Sequence, residues 1–454
     1  VEIGAHSRFF CWHVENSDSF GGAMLQFKNY QRVFRDSSFR VFWLGFTFSV
    51  LGDAMSRVAL TWYVYDLTGS ARALGLLTLA YTGPVILGGL IAGSLLDRFE
   101  RRKVMLVDNV VRGLAVSLVP ALYAAGRLEP WHIYAVAGVY GSMMMISLAG
   151  GPALIPALVK PERLDTANAL ETLSFTLSGV IGPPVAGLLI ARIGAPNVIL
   201  LDAISYFVFA TALSRITTSQ EIPIPGQQRP RNLSLSGPVH LLLSNPILLS
   251  TTLMFMAFNI GYGFLTVWLP IYSDQMAGGG PELYGALLGA IAVGEVFSAS
   301  LVGSFSTRKP IGLFIALAQT LSGVALAVLL LGTGKGWVIF GLLLLGLFSA
   351  PLTIWAQTLR MQIIPERLRG RTFALLRTLM QGAFPLGGAV AGFIMPVVGI
   401  PIMIALSATM IGTPGILGLR VKDLTRAGAV AQLEKNKIPR QSRKETEELR
   451  KIRE

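Results

Sequence analysis

The chain has 454 residues, of which 52% are hydrophobic and only 14% charged, with a formal net charge of +13 and a mean hydropathy of +0.59. That is too apolar for a soluble protein of this length, and the single cysteine, Cys11, excludes an intramolecular disulfide. The composition is that of an integral membrane protein.

Residues 1–38 read as a cytoplasmic tail. They lack the basic, apolar and small-residue succession of a cleavable signal. Met24 precedes "LQFKNYQRVFRDSSF", which suggests an alternative start with the first 23 residues as an upstream extension, and the stretch from Met24 to Phe39 suits a basic amphipathic helix on the membrane surface. Twelve apolar runs follow, each long enough for a hydrocarbon core of ~30 Å. They lie near 39–65, 74–96, 103–125, 131–158, 167–190, 197–214, 247–273, 283–305, 310–332, 336–359, 370–397 and 400–419. Lipid cannot hydrate backbone groups, and these runs lack the ten-residue alternation of a membrane barrel, so an all-α membrane protein of twelve transmembrane helices is expected.

With both termini in the cytoplasm, 31 of the 38 basic residues fall in tails and cytoplasmic loops, four in loops on the other face and three inside spans. The positive charge therefore reads as topology and contact with anionic headgroups. No soluble basic domain with aromatic platforms is present for nucleic acid.

Between spans six and seven, "TTSQEIPIPGQQRPRNLSLSGP" has the composition of a linker. The expected layout is a tail (1–38), a six-helix half (39–215), a cytoplasmic linker (216–246), a second six-helix half (247–419) and a charged cytoplasmic tail (420–454). Each half echoes the other. "PERL" occurs at 161–164 and 365–368, "VAGLLIARIG" answers "VAGFIMPVVG", and "GSLLDRFERRK" at 93–103 has a worn copy in "GSFSTRKP" at 303–310, all about 205 to 210 residues apart. Parallel repeats of this length mark a transporter with two similar six-helix halves.

The first of these stretches puts six charges into the seven positions from Asp97 to Lys103. Clustered Arg and Lys stop the chain at the cytoplasmic face, but that leaves Gly93 and Asp97 unexplained. Gly93, Leu95, Asp97, Arg98, Arg101, Arg102 and Lys103 resemble motif A of the major facilitator superfamily, G-x-L-x-D-R-x-G-R-R. Glu100 in place of the motif's Gly, with Asp108 and Arg112 further on, resembles the branch of enterobactin exporters and macrolide-efflux proteins. The resemblance covers roughly 38–420 and implies two pseudo-symmetric halves rocking about a central site. It implies that Gly93 permits close helix approach, that Asp97 sits at the N-terminus of helix eleven, and that Arg98, Arg101 and Arg102 bridge the halves as a latch holding the outward-open state shut below. Gly303, Arg308 and Lys309 would be the second copy. "GVIGPPVAG" in span five is similar to the antiporter motif C, with Gly182, Pro183 and Gly187 at the family spacing and Ala186 departing from it. The Arg of the family's motif B has no counterpart in span four.

Ionisable groups within hydrocarbon need a partner or a task. Asp53 and Arg57 stand one turn apart in span one, either neutralising one another or forming a proton or cation site. Glu295 in span eight has no charged neighbour within a turn and is the foremost proton-site residue among the carboxylates. Glu171 in span five could meet it if their depths agree, and Arg377 in span eleven could receive an anionic substrate group or pair with a carboxylate. Asp108 and Arg112 read as a structural pair, and Asp202 as a helix-end or packing residue. Met143, Met144, Asn259, Tyr262 and Trp268 suit the wall of a cavity for a bulky amphipathic compound.

"LGTGKGW" lacks the spacing of a phosphate-binding loop, the four His residues lack metal-ligand spacing, and no catalytic motif stands out. Neither metal, cofactor nor enzyme activity is expected. The expected function is export of a small amphipathic organic compound driven by proton entry, by a monomer in a bacterial inner membrane. A lysophospholipid flippase of the same fold and a non-transporting sensor or assembly protein are the alternatives.

Overall fold

The computed structural model describes residues 30–216, 236–275, 279–304, 310–332 and 334–428, and among these the secondary structure is helical, with no strand. In chain order the long helices are α1 (Ser37–Thr68), α2 (Ala71–Arg98), α3 (Arg101–Ala124), α4 (Pro130–Leu154), α5 (Leu164–Ile193), α6 (Ala195–Arg215), α7 (Pro246–Gln275), α8 (Gly280–Ser304), α9 (Ile311–Ala327) and α10 (Lys335–Ile363). A last helix, Glu366–Arg420, is broken at Gly399 (φ 75°, ψ 173°), and its arms, 366–398 and 400–420, are α11 and α12. Only glycine adopts that conformation readily, and Pro401 follows it, so the chain turns there without a loop. Both arms then pack on α7, at Gly261 against Ser407 and Ile411 and at Gly263 against Phe384 and Gly387.

The other boundaries have local causes. Gly69 ends α1 in the left-handed region, and the Ser70 side chain caps α2 by accepting from the Ala73 N–H. Glu129 and His132 form a reciprocal cap before Pro130 at the start of α4. Nine of the described helices, counting Glu366–Arg420 once, are long and apolar enough to cross a membrane. α1 falls short because Asp53 and Arg57 dilute its apolar run. Large apolar side chains face outward, as lipid requires. On α3, Val107, Val111, Leu114 and Leu118 form an exposed face at helical spacing, while Asp108 and Arg112 are buried behind them.

Helix pairings repeat between the halves. α1 packs on α5 and α6, α2 on α4 and α3 on α6; α7 packs on α11 and α12, α8 on α10 and α9 on α12. Each pairing recurs six helices later, which is the structural form of the sequence repeat. Across the halves, α5 meets α8 and α2 meets α11. Both seams use glycine: a Cβ on Gly187 would lie 3.1 Å from Gly285 Cα, and one on Gly75 3.0 Å from Gly392 Cα. These contacts lie next to the α1–α2, α5–α6, α7–α8 and α11–α12 connections, which alternation of the chain places on the side opposite the start of α1. There the Tyr65 hydroxyl also donates to Asp274 at 2.8 Å, and the rings of Trp62 and Tyr284 stand 6.2 Å apart. The halves are closed against each other at that end.

Within the first half, Gly52 of α1 lies directly on α6. A Cβ there would fall on Asp202 Oδ1, 2.5 Å from Ser205 Oγ and 3.2 Å from Asp202 Cα. Gly52→Ala is expected to destabilise the protein by about 1–3 kcal/mol, the range for overpacking a close-packed interior. A thermal melt of the purified variant checks this, and an unchanged melting temperature would contradict it.

Candidate functional site

Between the halves, at mid-depth, lies a cavity of about 470 Å³ bordered by α1, α2, α5, α7, α8 and α11. The first half contributes Arg57, Tyr81 and Pro183; the second contributes Tyr262, Tyr284 and Glu295. Arg57 and Glu295 are thus opposite charges on opposite halves of one chamber. The Arg57 side chain is exposed to the cavity. Glu295 is half-buried and accepts a hydrogen bond from Ser349 of α10 at 3.3 Å.

Asp53 does not pair with Arg57. Its Oδ1 accepts from the Tyr206 hydroxyl of α6, and its Oδ2 stands 3.6 Å from Arg112 Nη1 of α3. Arg112 is fully buried and is the hub of this group: Nη2 lies 2.6 Å from Asp108 Oδ2, Nη1 donates to the Tyr206 hydroxyl at 3.2 Å, and the guanidinium carbon sits 4.5 Å from the Tyr206 ring centre. Ser147 of α4 donates to Asp108 Oδ2 at 2.9 Å and accepts from Arg112 Nη2. Asp202, fully buried and near enough to feel Asp53, receives Ser205 on Oδ1 while its Oδ2 has no hydrogen-bond partner. Three aspartates from three helices therefore surround one arginine. Asp53 alone among them is partly open, its side chain 21% exposed.

Arg112 reaches Asp53 as well as its expected partner Asp108. Asp202 is buried two turns inside α6, packed against Gly52 of α1. Tyr206, Tyr81 and Tyr284 escaped the sequence reading, because a tyrosine in an apolar run carries no sign of whether it meets a charge. The arginine beside Asp53 comes from α3, not from α4.

Other expected residues lie apart from the cavity. Glu171 is buried on α5 against Gly151 of α4, where a glycine Cβ would lie 2.6 Å from its Oε1. It faces α4 while Glu295 faces the cavity and α10, so the two are not brought together. Trp268 is fully buried and donates to Ser407 at 3.0 Å in the second half. Asn259 spends its amide on the Phe255 carbonyl of its own helix at 2.9 Å. Met144 lies behind the cavity wall, its sulfur 3.5 Å from the Tyr81 hydroxyl, and Met143 packs with Ala92 and Leu96. Tyr262 is the one of these five that borders the cavity. Arg377 is exposed on α11, two turns from the cavity residue Phe384 and on the same helix face. In the span-five motif, Pro183 borders the cavity, Gly182 admits Ala54 of α1, and Gly187 forms the seam with α8.

Motif A occupies the end of α2, with Gly93 inside the helix, and the turn into α3. Arg101 donates to the Ala153 carbonyl of α4 at 2.9 Å and Arg102 to the Ile216 carbonyl just past α6 at 2.7 Å. Glu100 pairs with Arg102 at 3.0 Å and Lys103 at 2.8 Å. Its hydrogen bond to Lys103 above all holds the carboxyl below its ordinary range, so it is ionised at neutral pH. Arg98 is exposed, and Gly303 lies in the last turn of α8. The Asp97 side chain, Arg308 and Lys309 are outside the described residues, as are residues 1–29, most of the linker and most of the charged C-terminal tail.

Comparison with known proteins agrees with this architecture. Residues 32–450 match the family model described as transmembrane secretion effector, MFS_3. The chain is 24% identical to the multidrug efflux pump Tap of Mycolicibacterium fortuitum, over 83% of this chain and 94% of that protein. It is 28% identical to the enterobactin exporter EntS of Shigella boydii, over 78% of this chain and 84% of that protein. The nucleoside transporter NupG shares the fold with a TM-score of 0.70 at 11% identity, covering 85% of this chain and 99% of that one. A bacterial homologue of the lysosomal transporter Spinster, solved inward-facing and unoccupied, gives 0.58 at 14% identity, covering 85% and 94%. From its matched length, its motif A and its repeated helix pairings, the chain belongs to the transmembrane secretion effector family of the major facilitator superfamily.

Proposed function

We propose that this transporter exports a small amphipathic organic compound in exchange for protons, by alternating access of the central cavity. One observation carries the reading: a mid-depth chamber is walled by both halves, which touch at one end through glycine seams that separate as a unit when the halves rock. With the basic loops and both termini in the cytoplasm, the closed end is the outer one and the chamber is in its inward-facing state.

Proton coupling rests on the carboxylates. Asp53, Asp108 and Asp202 gather around one buried arginine, Arg112, and this surplus of acidic side chains supports a proton-binding role for the group. Asp53 is the partly open member of the group, and Glu295 provides a second carboxylate on the other half, where it borders the cavity. The test is accumulation of cationic, neutral and anionic aromatic dyes by inside-out vesicles energised by a proton gradient. Wild type is expected to accumulate at least one dye in a protonophore-sensitive manner. Asp53→Asn and Glu295→Gln are expected to fall to the level of empty vesicles. Gradient-independent movement, or full activity in both variants, overturns the coupling.

A further inference from the structure

We propose that the Arg57 guanidinium anchors an anionic group of the transported compound, so that the substrate is an aromatic organic anion; the inference rests on the carrier reading above. Asp53, one turn before Arg57 on the same helix, is its natural partner. Both Asp53 oxygens are instead turned into the first half, toward Tyr206 and Arg112. Among the described residues the Arg57 guanidinium has no hydrogen bond or ion pair, and it is exposed to the cavity it borders. A cation at this depth is costly without a counter-charge. Its planar fork of five donors matches a carboxylate or sulfonate, the pairing a ligand would complete.

The rest of the chamber suits the body of such a compound. Tyr81, Tyr262, Tyr284 and Phe384 border it, the Tyr262 and Phe384 rings lying 6.2 Å apart, which offers aromatic faces for stacking. Its volume of about 470 Å³ lies within the roughly 300–1,000 Å³ range of small-molecule sites. Arg377 stands two turns away on the face of Phe384, toward the end where the halves are not sealed, and adds a second positive charge along the approach. Glu295 on the opposite wall disfavours a second anionic group, so the compound carries one.

The test uses three compounds that share a naphthalene ring and differ in charge: 1-naphthoate, 1-naphthylmethanol and 1-naphthylmethylamine. Equilibrium dialysis against the full chain in phosphatidylcholine nanodiscs, with empty nanodiscs as the partition control, gives affinities. Naphthoate is expected to bind at least about tenfold tighter than the other two, the size of a charge-assisted bidentate pair. Arg57→Gln is expected to remove that preference, and Arg57→Lys to retain part of it. The wild-type ranking does not depend on any variant folding. Failure of naphthoate to bind, or a ranking that favours the alcohol or the amine, overturns the inference. Vesicle transport of the same set separates this from the carrier reading. Naphthoate bound but no compound moved leaves the anion site and sinks export, whereas amine moved in preference to naphthoate leaves export and sinks the anion site.

Discussion

Arg112→Met is expected to yield little folded protein, and Arg112→Met with Asp108→Asn to recover most of it. Arg112 is 1% exposed and Asp108 fully buried, with the two 2.6 Å apart. Removing the guanidinium leaves Asp108 as an unpaired carboxyl deep in the first half and strips Asp53 of its nearest cation. Breaking a buried pair in this way costs about 3–5 kcal/mol, a large share of the stability of any domain. Methionine keeps most of the volume that packs on Tyr206 and Tyr140, so the loss reports charge rather than a cavity. The Asp108→Asn change removes the orphaned charge and keeps an amide oxygen to accept from Ser147. Monodispersity and melting temperature of the two purified proteins check the prediction. A stable single variant, or a double variant no better than the single, would show that the cluster does not depend on its arginine.

Gly187→Leu is expected to abolish transport while leaving each half folded. A Cβ on Gly187 would fall on the Pro281 carbonyl and lie 3.1 Å from Gly285 Cα, and neither atom can rotate away. Under the proposed alternating access the two backbones touch there only with the outer end shut, so the larger side chain is expected to act on one state of the carrier and not on the packing within either half. The variant is expected to rest with its outer end open. In a Cys11→Ser background, a cysteine introduced by Thr61→Cys in the cavity would then react with an impermeant thiol reagent added from the side of the α1–α2 connection, faster than the same cysteine without Gly187→Leu. Retained transport, or unchanged labelling, would place the moving seam elsewhere.

Most of the fold was legible in the sequence because each span announces itself through hydrophobicity, and the repeats of "PERL" and of the motif A stretch announce the pairing of halves. Where two spans share one helix, as around Gly399, the sequence still separates them, since a Gly followed by a Pro two residues on is a turn signal in any register. The site was less legible. Arg57, Glu295, Tyr262 and Pro183 were found because a charge, an aromatic or a proline in an apolar run stands out. The pairing of Asp53 was not found, because the neighbour at i+4 is visible in the sequence and the neighbours on α3 and α6 are not. For the same reason Asp202 reads in the sequence as a helix-end or packing residue and not as a neighbour of Asp53, although a Cβ on Gly52 opposite would strike its carboxylate. Glu171 and Trp268 stood out by residue type alone, and residue type does not reveal which way a helix face turns.

The most direct measurement is the distance across the outer seam under different proton loads. Spin labels at Asp66 and Gln275, both exposed beside the Tyr65–Asp274 contact, report whether that end opens, in a Cys11→Ser chain reconstituted in nanodiscs. A short and a long distance are expected, in proportions that change between acidic and alkaline pH, and Asp53→Asn is expected to make those proportions independent of pH. A single short distance at every pH would contradict alternating access driven by protons.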